Sequence, residues 1–282
     1  MIVVTLLGGL GNQMFQYAFG RHLAIKNKSR LVVDLSMLLA RNPEIDYTFR
    51  EFELDVFNVS FSNFNDVRNT FGYRLARKLK QVTYLNEDGK PFDPALLQIK
   101  GDAHLIGYWQ TEKYFAEVSD VLRNDFTFKI PPGPGSQHVI DAIVHSNAVA
   151  IHFRRGDYVS LPSASIHGVC SPDYYRQAMA YIEANVVNPH YFIFSDDIPW
   201  VKANITFPGQ HTFVEGNDGK KSFEDLRLMS LCKHNIIANS SFSWWGAWLN
   251  ANKRKIVVAP KAWFRDPSVN ASDLIPETWI RI

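Results

Sequence analysis

The segment His152-Phe153-Arg154-Arg155-Gly156-Asp157-Tyr158 sets an imidazole, two guanidinium groups and a carboxylate directly after an apolar run at 148–153. A guanidinium fork matches a diphosphate bidentately and stays charged at every relevant pH, so this grouping can hold a phosphate ester and neutralise charge developing on it. Side chains alternate along an extended segment, which sends His152 and Arg154 to one side and Phe153 and Arg155 to the other. One arginine can then meet a ligand while the other pairs internally, with Asp157 as the nearest partner for Arg155. We read Arg154 as the anion contact; a purely structural salt-bridge cluster is the competing reading.

A second group, Asn239-Ser240-Ser241-Phe242-Ser243, lies between a strand-like run at 235–238 and a helical pattern rich in tryptophan. Hydroxyls at a helix entrance join its free N–H groups and the positive end of its dipole, which makes an anion site. Trp244, Trp245 and Trp248 fall at the spacing of a helix face packed into core, with sugar stacking as the alternative. Ser195-Asp196-Asp197 follows the run at 191–195. Its carboxylates could bind metal, act as acid and base, cap a helix or orient an arginine, and we favour the last. Gly8-Gly9-Leu10-Gly11-Asn12-Gln13-Met14 follows the first apolar run and opens a helical pattern, where small residues let N–H groups approach a phosphate. Asp34 stands where a dinucleotide fold carries its ribose-binding acid, so a nicotinamide-dependent oxidoreductase is an alternative. Met14 in place of the third fingerprint glycine argues against it.

No two Asp residues are separated by a single residue, so the Asp-x-Asp clamp that holds metal on many nucleotide sugars is missing. Arginine, hydroxyls and backbone donors must then meet the charge on a departing diphosphate, and no metal is expected. Lys and Arg number 30 against 28 Asp and Glu, with no basic stripe interleaved with aromatics, which excludes a nucleic-acid binder. Cys170 and Cys232 stand far apart, without the spacing of a zinc module or a disulfide framework. The opening Met1-Ile2-Val3-Val4-Thr5-Leu6-Leu7 has no basic leader and is too short for a membrane anchor, so it reads as a first strand in a cytoplasmic protein without a transmembrane segment.

At 282 residues, 46% apolar and 21% charged, the chain is globular and long enough for two domains. Strand-like runs at 2–7, 31–35 and 104–109 alternate with helical patterns at 13–27 and from Thr111. A cleaner alternation follows, with runs at 148–153, 191–195, 211–214, 235–238 and 255–259. Pro131-Pro132-Gly133-Pro134-Gly135 can continue neither element type and marks the boundary between lobes at 1–130 and 136–282. The expected fold is α/β, with two Rossmann-like lobes of parallel sheet facing a central cleft and the ligand at the carboxyl ends of strands. The stretch 43–101 is irregular, with a basic helical piece near 73–80.

The stretches 8–16, 152–158 and 232–250 resemble, in kind and order, the signatures of the α-1,2-fucosyltransferases of glycosyltransferase family 11. The resemblance covers nearly the whole chain and is weakest over 43–101. It implies a GT-B fold, GDP-β-L-fucose as donor, inversion at the anomeric carbon, no required metal, and transfer to the 2-hydroxyl of a terminal galactose on an oligosaccharide or glycolipid. On that resemblance Arg154 meets the β-phosphate with His152 nearby, Asp225 meets guanine, Ser240, Ser241 and Ser243 surround the diphosphate, and the loop carrying Gly11 and Asn12 closes from the first lobe. The donor-binding set is completed by Gly9, Ser195, Asp196, Asn239 and Phe242, and the catalytic candidates are Arg154, His152 and Asp157. The proton acceptor stays open between Asp157, His167, Asp173 and the departing phosphate. Another nucleotide sugar is the main alternative donor. The resemblance also implies a bacterial enzyme that finishes a surface polysaccharide or oligosaccharide before export, and the expected location is the cytoplasm or the periphery of a membrane.

Overall fold

The computed structural model describes residues 1–40, 50–87, 91–156, 168–217 and 219–282. The chain forms two compact units, Met1–Lys129 with Asn270–Pro276, and Ile130–Val269 with Glu277–Ile282. Among the described residues no helix is long and apolar enough to cross a membrane.

The first unit runs β1 (Ile2–Thr5), α1 (Leu10–Lys26), β2 (Leu31–Asp34), β3 (Ser62–Asn63), α2 (Phe64–Val67), α3 (Phe71–Lys78), β4 (Val82–Asn86), β5 (Asp102–Ile106) and α4 (Ser119–Asp125). Its sheet has the order β3-β2-β1-β5-β4, and every pairing is parallel. Strands β1 and β2 are buried along their whole length, as continuous apolar runs in a covered parallel sheet must be. Helix α1 lies so close on this sheet that a Cβ at Gly20 would come within 2.2 Å of the Val4 side chain. The strand expected to reach residue 109 stops at Ile106. Gly107 turns to φ +156° and Trp109 to φ +55°, while Glu87 accepts the N–H groups of Tyr108 and Trp109. The helix expected from Thr111 is broken: Thr111 caps a short 3-10 turn, Glu112–Tyr114, a second turn spans Ala116–Val118, and α4 begins only at Ser119. Residues 270–276, expected in the second lobe, belong to the first unit because Asp273 accepts from the Lys113 ammonium at 2.6 Å and the Phe92 N–H at 2.9 Å.

The second unit runs α5 (Pro134–Val144), β6 (Asn147–Phe153), α6 (Pro172–Asn185), β7 (Pro189–Ser195), α7 (Ile198–Asn204), β8 (His211–Phe213), α8 (Ser222–Leu231), β9 (His234–Ile236), α9 (Ser241–Leu249), β10 (Val257–Ala259) and β11 (Ile280–Arg281). All six strands are parallel in the order β11-β10-β9-β6-β7-β8, with β6 in the interior. Pro134 sits in the first turn of α5, where a missing N–H costs nothing. Alternation along β6 sends Val149, Ile151 and Phe153 into a core shared with α6, and Ala148 and Ala150 into one shared with α5 and α8.

Candidate active site

Strand β6 ends in the motif that carries the charge. The β6–β7 register pairs Phe153 with Ser195, and one step further the Arg154 guanidinium meets Asp196 Oδ2 at 3.0 Å. Asp196 also accepts the Arg155 N–H at 2.8 Å. Gly156 makes this approach feasible, since a Cβ there would stand 2.7 Å from Asp196 Oδ2. Arg155 goes the other way: its Nε lies 3.1 Å from Asp197 Oδ2 and its guanidinium 3.6 Å above the Trp200 ring. Asp197 also caps α7 through the Trp200 N–H, and its own N–H donates to Ser195 Oγ. Among the described residues the carboxylate that meets Arg155 is Asp197. Asp157 and His167 lie outside the described residues. Asp173, the third acid–base candidate, is an exposed residue in the first turn of α6, bonded to Arg176 and Gln177.

His152 is buried on the α9 side of β6, its ring 5.9 Å from that of Phe242 and its carbonyl accepting from the Tyr175 hydroxyl. Its Nδ1 has no hydrogen-bond partner among the described residues. Burial, reinforced by the neighbouring Arg154 charge, pushes the imidazole pKa down to about 3. The ring is thus neutral at any working pH and offers a polar contact without adding charge.

Helix α9 begins after Ser240, whose extended backbone marks the N-cap and whose side chain makes no cap bond. The first intrahelical bond runs from the Trp244 N–H to the Ser240 carbonyl, so the N–H groups of Ser241, Phe242 and Ser243 precede it. Ser243 is fully buried, with its hydroxyl within hydrogen-bond reach of the carbonyls of Ser240 and Ala238, and so helps shape the turn. Asn239 likewise works inside the fold, donating to the carbonyls of Gly168 and Trp263 and accepting from the Cys170 thiol. Beside it, at the carboxyl end of β10, lies a cavity of about 520 Å³ with Lys261 and Arg265 in its wall. Asp225 stands in the first turn of α8 and accepts from the Asn217 amide at 2.7 Å. Trp244 and Trp245 are completely buried and Trp248 nearly so; Trp244 lies parallel to Trp248, Trp245 meets both edge-on and Trp279 packs tilted against Trp244, so they are core and not a sugar platform.

In the first unit the loop before α1 is shaped by Gly8, at φ +72° and with a Cβ position only 2.4 Å from the Asn12 amide. Asn12 accepts from Gln110, and Gln13 bonds Gly8, Glu51 and Glu53. The Leu10 N–H at the helix entrance, beside Gly9 and Gly11, donates to Glu53, whose carboxyl burial shifts upward. An acid already stands where a pyrophosphate would have to bind. Asp34 is turned inward, accepting from the Ser36 N–H and lying 3.9 Å from His104, so it presents no carboxylate to a ribose. Both features remove the dinucleotide reading. Glu53 and Trp200 carried no signal in the sequence; Gly156 and Asp197 stood in motifs singled out there, and the arginine-orienting role favoured for the carboxylate pair is the one Asp196 and Asp197 take against Arg154 and Arg155.

Among the described residues no group of three His, Cys, Asp or Glu side chains is placed to hold a metal ion. Two parallel-sheet α/β units, the second with an arginine and a helix entrance at its strand ends, make an architecture of the GT-B kind. A solved structure shares this fold: the alpha-1,6-fucosyltransferase NodZ of Bradyrhizobium, soaked with GDP-fucose, aligns with a TM-score of 0.50 at 14% identity over 88% of this chain and 91% of that one. The model of glycosyl transferase family 11 matches residues 1–282, and the chain belongs to that family. An alpha-1,2-colitosyltransferase of Escherichia coli is 37% identical, covering 100% of this chain and 99% of that protein. The O-antigen biosynthesis glycosyltransferase WbnK of Escherichia coli is 35% identical over 98% of this chain and 99% of its own length.

Proposed function

We propose that the protein transfers L-fucose from GDP-β-L-fucose, with inversion, to the 2-hydroxyl of a terminal galactose on an oligosaccharide or glycolipid. The observation that carries this reading is Arg154, fixed at the end of an interior strand by Asp196. As the glycosidic bond to the donor phosphate stretches, the sugar gains oxocarbenium character and the β-phosphate gains negative charge. Arg154 and the first-turn N–H groups of α9 would meet that charge, each preorganised donor lowering the barrier by roughly 3 kcal/mol. Neutral His152 would add a hydrogen bond. The chemistry proceeds without metal on this reading, because a permanent cation takes the place of one.

A second reading is favoured by the 37% identical colitosyltransferase. Colitose is fucose without its 3-hydroxyl, so the same diphosphate machinery serves both donors and only the sugar contacts choose between them. The test is to incubate the purified chain with chelator, a panel of galactosides and either donor, then to read product mass and linkage. Fucosylated α-1,2 product in chelator supports the proposal. Turnover with the colitose donor alone replaces the sugar, and dependence on added metal overturns the charge assignment.

A further inference from the structure

Helix α3 carries a surface that holds none of the candidate site residues. Tyr73 and Ala76 turn inward and pack with Val67, Val82 and Phe64. Phe71, Leu75 and Leu79 remain exposed, Phe71 to 81%. Their four-residue spacing lines them along one side of the helix. Arg68, Arg74, Arg77, Lys78 and Lys80, on α3 and beside its ends, are all exposed, and no Asp or Glu occurs between residues 67 and 81. Scattered single apolar residues on a surface need no explanation, but a row of three on a segment that also exposes five cations does.

We infer that this face docks on the surface of an anionic lipid bilayer. Cations around an exposed apolar stripe are what an interfacial helix needs: the stripe enters the acyl boundary and the long basic side chains stay among the headgroup phosphates. The charge selects this occupant. A second copy would bring the same basic face against itself and be repelled, and a neutral bilayer or neutral protein would leave the cations unmatched. Docking would hold the enzyme where lipid-linked or surface-bound acceptors are presented, and it stands independently of which sugar is transferred.

Flotation of the full chain with vesicles of phosphatidylcholine, alone or mixed with phosphatidylglycerol, tests this. The wild type should float with the anionic vesicles only, and release in about 1 M salt, where screening is short-ranged. R74Q/R77Q/K78Q should weaken partitioning on the order of 100-fold, since each lost cation costs about fivefold. F71S/L75S/L79S should abolish flotation. Both variants should keep the wild-type melting temperature and turnover of a water-soluble acceptor, and K253Q/R254Q should float normally. Wild-type protein that stays with the soluble fraction, or variants that float like wild type, would overturn the inference. So would a wild-type dimer that F71S/L75S/L79S turns into monomer without any vesicle binding, which would make the face a self-association surface.

Discussion

Arg154 and Arg155 are neighbours in sequence and opposite in role, and the difference lies in what each meets. Arg155 is held by Asp197 at its Nε and by stacking on Trp200, an arrangement that stabilises the strand end. Arg154 has Asp196 at 3.0 Å and keeps about a quarter of its side chain, 24%, open to solvent. Arg154→Ala should lower kcat about 100- to 1,000-fold with an unchanged melting temperature. Arg154→Lys should recover part of that loss, because the charge returns without the bidentate fork. Asp196 acts through Arg154, and Gly156 acts through Asp196, since an added Cβ would meet the carboxylate at 2.7 Å. Gly156→Ala and Asp196→Asn should therefore each cut kcat with little change in the KM for acceptor, and the double variant should lose no more than the worse single one. Fully additive losses in that cycle would show that the two residues work separately.

Helices α1 and α9 show how elements are set by what they cover. Helix α1 is buried nearly all round, so its sequence has no polar stripe, and Gly20 lets it settle onto β1. Gly20→Ala would gain about 1 kcal/mol in helix propensity yet drive a methyl group into Val4 and Leu31. The net should be a destabilisation of about 1–3 kcal/mol, read as a lower urea midpoint at constant m-value. A midpoint raised by the alanine would mean that α1 does not sit tightly on the sheet. The inner parallel strands were legible beforehand because a strand covered on both faces leaves an unbroken run such as Ile2-Val3-Val4 or Ala148-Val149-Ala150-Ile151, whereas β3, β4 and β11, short or largely exposed, left no such run. The end of β5 was not, because residues that look strand-like at Tyr108 and Trp109 are turned aside by Gly107 and held by a distant carboxylate, Glu87. The same reason hid Glu53 at the entrance of α1 and Asp197 beside Arg155: each partnership joins residues about 40 positions apart, and no local period records it.

At the scale of the whole molecule the two units should respond differently to acid. Burial lowers the pKa of His152 to about 3 and also lowers those of His190 and His234, all three in the second unit. An unfolded histidine takes up its proton near pH 6.5. Above that pH these rings are neutral in both states and their contribution is intact. Below it the unfolded chain binds protons that the folded unit refuses, so stability falls as pH drops from about 6.5 toward each folded pKa. For fully buried His152 the slope reaches about 1.4 kcal/mol per pH unit. The first unit carries one such ring, His104, lowered by burial, and against it Glu53, whose carboxyl burial raises. A folded carboxyl with a raised pKa takes its proton before the unfolded one does, so Glu53 contributes in the opposite direction as pH falls. Scanning calorimetry between about pH 7.5 and about pH 4.5 should show the transition of the second unit moving down faster and separating from that of the first. His152→Gln should flatten that shift by removing its steepest contributor. A transition that stays single and moves no less in the His152→Gln protein would mean that the buried imidazole is not what makes the second unit sensitive to acid.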